Sequence, residues 1–569
     1  MKAKVLLAGV LCTVVAGGAS AQHVFDGNIF YDNAGADCRG GSTAPLNDCD
    51  FISSFPNNDT GIDPMLADPY YNVADFPIQS PDFRPSAAGI ALSPNDLVIQ
   101  VSSVASNYDD DCFNCGTCDF PMVDVCYRGA VDPNATTPWY EGWTNFNHNG
   151  EGRTDLDINA LEVKTGMLAG DETWGFGSGL GTGYLLRGRV GVPAGVTLTI
   201  DAGVRVFGEK ATTGYLVVER GGRLILNGTA GAPIIFTSDQ ENGFQARSDW
   251  GGVVLHGRAI ANCADCMNGE SCVSEGGAGD FCGNDDCDDK GSLRYARVEY
   301  AGIDIGENNE LNAWTFNSVG CETVLEYLQS HMAWDDSFEW FGGKANGNHW
   351  IATGGRDDGF DWQMGFRGTL QFGIVQQYDD LGDSGIEADN NEFGFDAPCR
   401  SNPTIANLTL IGGRPAGLNT GSGIRLRRGT DATIVNSIIV GFDSSGGLRV
   451  DDDATVARGF GPAPAVNNST ECGDLSSVGD IAATVGLQVR TFPNPVVDRA
   501  SFQFDLPTAS QAQLTVFDAN GRLVDTVVDG QMNAGSHTVD WNAPKTAGTY
   551  YYRLQAGDYA TTGRLVAVD

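Results

Sequence analysis

Basic residues are scarce: 34 Lys and Arg stand against 73 Asp and Glu, with only six His, for a net charge of −39. A surface of that sign repels nucleic acid and anionic lipid, which excludes binding that depends on neutralising phosphates. Long apolar runs are also missing. Residues 5–16 form the longest, too short for a membrane span, and no later segment suffices. No amphipathic helical pattern of useful length appears, and neither a phosphate-binding loop nor a convincing nucleophile triad can be found. These absences leave a turn-rich β protein: 76 Gly and a 41% hydrophobic fraction in a 569-residue chain, long enough for two or more folded units. The acidity itself has two readings, solubility alone or attraction of divalent cations such as Ca²⁺. No organic cofactor is indicated.

The N-terminus reads as a secretory leader. Lys2 and Lys4 precede the apolar run, and Ala19, Ser20 and Ala21 form a small-residue cleavage site, so residues 1–21 are expected to be removed and the mature chain to start at Gln22. Cys12 goes with the leader and leaves 14 cysteines. Cys112, Cys115, Cys118 and Cys126 form one cluster; Cys263, Cys266, Cys272, Cys282 and Cys287 form another. An exported chain crosses an oxidising compartment, so disulfides are expected, with Zn²⁺ at Cys112–Cys118 as the alternative.

Residues 22–184 are rich in Asp, Asn, Pro and Cys and show little regular patterning. Trp139, Tyr140 and Trp143 are either a buried knot or a sugar-stacking platform. From about residue 185 to 455 the texture changes to short β-branched runs punctuated by Gly, Asp and Asn. The pattern repeats. Phe338-Glu-Trp aligns with Phe360-Asp-Trp 22 residues later, and Asp335-Asp336 aligns with Asp357-Asp358 and then with Asp379-Asp380. Gly423-Ile-Arg-Leu and Gly447-Leu-Arg-Val lie 24 apart. A period of 22 to 24 residues is expected of one turn of a three-sided parallel solenoid. Residues 456–484 have linker composition, and 485–569 alternate as an antiparallel sandwich of about seven strands. The predicted fold class is therefore all-β: a right-handed parallel β-helix followed by a C-terminal immunoglobulin-like β-sandwich.

Two resemblances follow from these residues. Val190 to Ser238 resembles the start of the parallel β-helix of pectate-lyase-like proteins of Bacteroidota and their relatives. That resemblance implies the fold over about 184–455 and leaves lyase, hydrolase, adhesin and binding roles open. The FPNP at Phe492, the GSHTVDW at Gly535, the AGTYYY at Ala547 and the final apolar strand together resemble the C-terminal sorting domain of the type IX secretion system. That resemblance implies passage through the periplasm, engagement of the type IX machinery by residues 485–569, and a final place outside the cell or on its surface.

Candidate chemistry concentrates between residues 331 and 392. Stacked one turn apart, at about 4.8 Å, two carboxylates repel by about 0.9 kcal/mol in water and about 3–4 kcal/mol at an effective dielectric of 20. A cation would relieve this, so Asp335, Asp336, Asp357, Asp358, Asp379 and Asp380 are candidate Ca²⁺ ligands; exposed turn Asp residues are the plain alternative. Alternation places Phe338, Trp340, Phe360 and Trp362 inside, and Glu339 and Asp361 outside. Glu339, Asp361, Glu387 and Asp389, with Trp334 and Trp350, are the candidate glycan-binding set. Asp357, Asp358 and Asp361, with Arg356 and Lys344 (and Arg367 as a further base), are the weak catalytic candidates. The polygalacturonase motifs are incomplete: a DD pair is present, GHG and RIK are not. The expected function is thus an exported β-helix protein binding extracellular polysaccharide or another outer surface with Ca²⁺ support. The alternatives are a polysaccharide lyase or glycoside hydrolase, and a structural adhesin.

Overall fold

The computed structural model describes, in the main, residues 160–458 and 489–567, with short stretches between 23 and 146. The leader, the Cys112–Cys126 cluster and most of the 456–484 linker lie outside the described residues. Two compact units emerge, Met1–Gly473 and Asp474–Asp569.

The first unit is a parallel β-helix. One face stacks the short strands Tyr215–Val218, Gly252–His256, Trp314–Asn317, Phe338–Phe341, Phe360–Gln363, Ile386–Asp389, Ile424–Arg427 and Leu448–Val450, each parallel to the next. The other two faces are the halves of longer strands: Gly291–Glu299, Val324–His331, Asn346–Thr353, Thr369–Gln376 and Thr404–Ile411. Each long strand bends at a left-handed residue, Tyr295, Tyr327, His349, Phe372 and Asn407 in turn, and the series continues at Asn436. Asn tolerates this conformation better than most side chains because its amide bonds locally. The aromatic members are supported by stacking instead: Tyr295 on Tyr327 at 4.3 Å, Tyr327 on His349 at 4.3 Å, and His349 on Phe372 at 5.1 Å.

The inward positions are apolar, as the alternation requires. Phe338, Trp340, Phe360, Trp362, Ile386 and Leu408 belong to one continuous core, and its burial supplies the main driving force for the solenoid. The ladder starts by Glu162, ahead of residue 185. Glu162–Met167 and Glu172–Trp174 already pair in parallel with later strands, but Glu162–Met167 has no buried residue and so carries no apolar signature. The N-terminal stretches join the same unit. Phe83, Ala130, Val131, Tyr140, Trp143 and Phe146 pack on the outward Ile351, Ile374, Ile411 and Val440. The aromatic knot is therefore buried rather than a platform: Trp143 stacks beside Trp139, and its backbone carbonyl accepts from Arg297.

In the second cluster, Cys263 bonds Cys272 and Cys266 bonds Cys282, and Cys287, Cys321 and Cys399 are also disulfide-bonded. The second unit is a seven-stranded sandwich, with Val489–Phe492, Arg499–Leu506 and Gly535–Asn542 in one antiparallel sheet. The other holds Leu523–Met532, Ser510–Asp518, Gly548–Ala556 and Tyr559–Ala567. Among the described residues, no helix is long and apolar enough to cross a membrane.

Candidate functional site

The middle residue of each short strand points away from the core, and the register stacks these residues in one column: Val217, Val254, Thr315, Glu339, Asp361, Glu387, Arg425, Arg449. Three carboxylates thus sit directly above two guanidinium groups. Pointing outward does not expose them: Glu339, Asp361 and Glu387 are only 4%, 8% and 7% accessible. The disulfide-stapled segment 263–282 and the hairpin of Ile303–Gly306 with Asn309–Leu311 flank this column, and Ala278 and Leu311 pack on Val217 and Val254. Gly276 N–H donates to Asn309 Oδ1 at 2.7 Å and ties the two covering segments together.

Beside the column runs a second ladder, in the turn before each strand. Asn312 Oδ1 accepts from Asp336 N–H at 3.1 Å, and Asp336 Oδ1 from Asp358 N–H at 3.0 Å. Asp358 Oδ1 accepts from Ser384 N–H at 2.5 Å, and Ser384 Oγ from Ser422 N–H at 3.3 Å. One oxygen of each Asp therefore satisfies the backbone of the next rung. Carboxylate oxygens of Asp336, Glu339 and Asp361 come within 4.8 Å of one another; so do those of Asp358, Asp361 and Glu387, and of Asp336, Asp357 and Asp358.

The charge is balanced at one end only. Glu387 is held by Arg425 at 2.6 Å and by Arg427, and Asp389 by Arg427 and Arg428, each at 2.6 Å. Burial still pushes the Glu387 carboxyl up to about 7 against the pull of both arginines. At the other end the contacts are neutral: Asn312 Nδ2 and Gln363 Nε2 donate to Glu339. Burial, reinforced by neighbouring carboxylates, holds Asp336, Glu339, Asp358 and Asp361 well above the usual carboxylate range. Asp361 Oδ1 is buried with no hydrogen-bond partner among the described residues. A buried carboxylate oxygen without a donor is costly and calls for a proton or a cation. The donors are all hard oxygens gathered within a few ångströms, which suits Ca²⁺.

The structure sorts the predicted residues. Asp335 and Asp357 are half-buried at the rim of the cluster. Asp379 and Asp380 do not join it, contrary to the 22-residue alignment. The chain carries extra residues there, so Phe360 pairs with Ile386 and the residue stacked on Asp358 is Ser384, 26 positions on. Asp380 is instead clamped by Arg247 at 2.6 and 2.9 Å. Trp350, a glycan-binding candidate, is instead in the core against Phe338 and Trp340, in register with the inward Leu328 just past the left-handed corner at His349. Trp334 is half-buried, with the Arg356 guanidinium 4.5 Å from its ring centre and its carbonyl accepting from Arg356 Nε. Arg356 also reaches Asp357 at 3.4 Å. Lys344 is buried, and Arg367 is fully paired with Asp286. Arg425 and Arg427 are site residues that the sequence patterning does not single out: the Gly423-Ile-Arg-Leu repeat matches Arg425 to Arg449, and the strand register places Arg425 on Glu387.

Residues 179–488, more than half of the chain, match the family described as the pectate-lyase like beta helix domain. The chain belongs to this family. Residues 496–562 match the FlgD Ig-like domain. No curated protein matches the chain. Among solved structures, the enzymatically active domain of bacteriophage CBA120 tailspike protein 2 is similar at 8% identity and a TM-score of 0.21. The likeness covers 68% of this chain and 72% of that one. A score that low bears no weight for function. Family membership gives this pectate-lyase-like protein its architecture and leaves its activity to be argued from the site.

Proposed function

We propose that this pectate-lyase-like β-helix is an exported, non-catalytic binding protein whose acidic column holds Ca²⁺, and that it meets extracellular polysaccharide or another outer surface. The observation that carries the cation is Asp361, whose unpartnered, buried Oδ1 lies among Asp336, Glu339, Asp358 and Glu387. Asp336, Glu339 and Asp361 are the ligands at the end of the column without arginines. Ca²⁺ there would screen the stacked charge and hold neighbouring rungs in register. The burial of Glu339, Asp361 and Glu387 supports binding over catalysis, since a hydrolase must admit a sugar ring and water to its carboxylates.

Titrating Ca²⁺ while following thermal melting tests the cation: a rise in the midpoint at millimolar Ca²⁺ is expected, and an unchanged midpoint sinks it. Incubation with pectin, alginate and chondroitin, read for unsaturated ends and reducing sugar, tests the absence of catalysis. For export, the leader at 1–21 and the type IX motifs of 485–569 support the route, and the disulfides of 263–282 suit an oxidising compartment. In a host with the type IX machinery, removing 485–569 is expected to strand the protein in the periplasm; continued release would refute that address.

A further inference from the structure

The first described strand of the chain lies at the far end of the solenoid. His23–Asp26 runs parallel to Ala432–Val435, which is flanked on its other side by Thr404–Ala406. Ile29–Tyr31 runs parallel to Ile438–Val440, itself flanked by Thr409–Ile411. Asp59–Thr60 then adds to Ile29–Phe30. The beginning of the chain thus supplies one more rung beyond the last long strand, with its two short strands in the same order and direction as those they cover.

Asn28, between the two strands, fixes the register. It is fully buried; its Nδ2 donates to Ile434 O at 3.0 Å, and its Oδ1 accepts from Ser437 N–H at 2.8 Å, across 406 and 409 residues of sequence. Those two backbone groups flank Asn436, the left-handed corner of the last rung. A side-chain amide that reads one carbonyl and one N–H on either side of a corner is specific in position and direction, whereas a bare strand edge would accept any extended chain.

We propose that Ala432–Val440 is a strand-acceptor site and that its ligand is the chain's own segment 23–31, held as a separable extended peptide by main-chain pairing and the Asn28 amide. Recognition of this kind needs backbone hydrogen bonds and one register-setting side chain, and does not depend on covalent continuity.

The test cuts the folded full chain, so no variant has to refold. A site-specific protease site is placed between residues 31 and 59 and cleaved. The N-terminal fragment is expected to stay with the body through gel filtration and to leave about tenfold faster or more in Asn28→Ala, which loses two buried hydrogen bonds. A labelled peptide spanning 22–32 is expected to bind the stripped body and restore its melting midpoint. The proposal is overturned if the fragment departs on cleavage with the midpoint unchanged, or if Asn28→Ala releases it no faster. It is equally overturned if uncut protein proves to be a dimer exchanging this segment between copies.

Discussion

Asp361 and His349 show how a single buried group sets the response of the whole chain. Asp361 keeps an unpartnered oxygen beneath Glu339 and above Glu387. Asp361→Asn removes the charge and retains the shape. Without Ca²⁺ it is expected to stabilise the protein by about 1–3 kcal/mol, and in the same melting experiment to abolish the Ca²⁺-induced rise; a variant that loses stability without Ca²⁺ yet keeps the rise would contradict both. His349 is a case of the opposite kind. Its ring is sandwiched between Tyr327 and Phe372, and burial pushes its pKa down to about 3. The unfolded chain protonates this ring near 6.5, so between roughly pH 6.5 and 3 the unfolded state binds more protons. Stability is therefore lost as the pH drops from about 6.5 towards 3, by at most about 1.4 kcal/mol per pH unit from this residue. His349→Phe keeps the stack and is expected to lose less stability than the parent between pH 7 and 4.5, measured by urea midpoints. An equal loss in the two proteins would show that the ring is not responsible.

At the scale of elements, the sequence pattern was most legible where one turn repeats another without interruption. Phe338-Glu-Trp over Phe360-Asp-Trp gave the inward core and the outward Glu339 and Asp361 directly, and the register agrees residue for residue. The reading slipped at Asp379-Asp380 because a change of turn length moves every later residue, and an Asp pair alone does not show where the extra residues sit. What covers a column was not legible at all. Periodicity says that Glu339 leaves the core; it does not say that segment 263–282 and the 303–311 hairpin lie beside it. Those covers carry carboxylates themselves. Burial, with Glu310 and Glu392 nearby, pushes Glu275 up to about 8, and Asp335 feels both Glu310 and Glu275. Covers and column therefore repel, and Ca²⁺ would weaken the repulsion. Amide exchange in 264–282 and 303–311 is expected to slow by about tenfold in saturating Ca²⁺, while exchange in Ala432–Val440 stays the same. Slowing everywhere would point to global stabilisation, and slowing in neither cover would separate them from the cation.

At the scale of the whole molecule, the chain divides into two compact units, a β-helix and a sandwich. The residues that made the C-terminal motif recognisable are largely structural within Asp474–Asp569. Trp541, the last residue of the GSHTVDW stretch, lies against Phe502 and Tyr550, His537 lies beside Phe504, and Tyr550 and Tyr552 of the YYY run are buried in the same core. A motif of this kind reports a sandwich core first; any contact with an export machine must be made by the side chains between those core positions. The unit has its own core and its own two sheets, so residues 474–569 alone are expected to unfold cooperatively, with a near-ultraviolet circular dichroism signal from Trp541. Trp541→Ala is expected to cost about 3–5 kcal/mol there, by urea midpoint. It would block export through unfolding alone. Substituting exposed Arg499, Gln503 or Gln513 in the same strands tests the address without touching the core. If those variants fold and are still exported, the sorting surface lies elsewhere on the sandwich; if 474–569 shows no cooperative transition by itself, the second unit is not an independent module and its motif cannot be read as a detachable address.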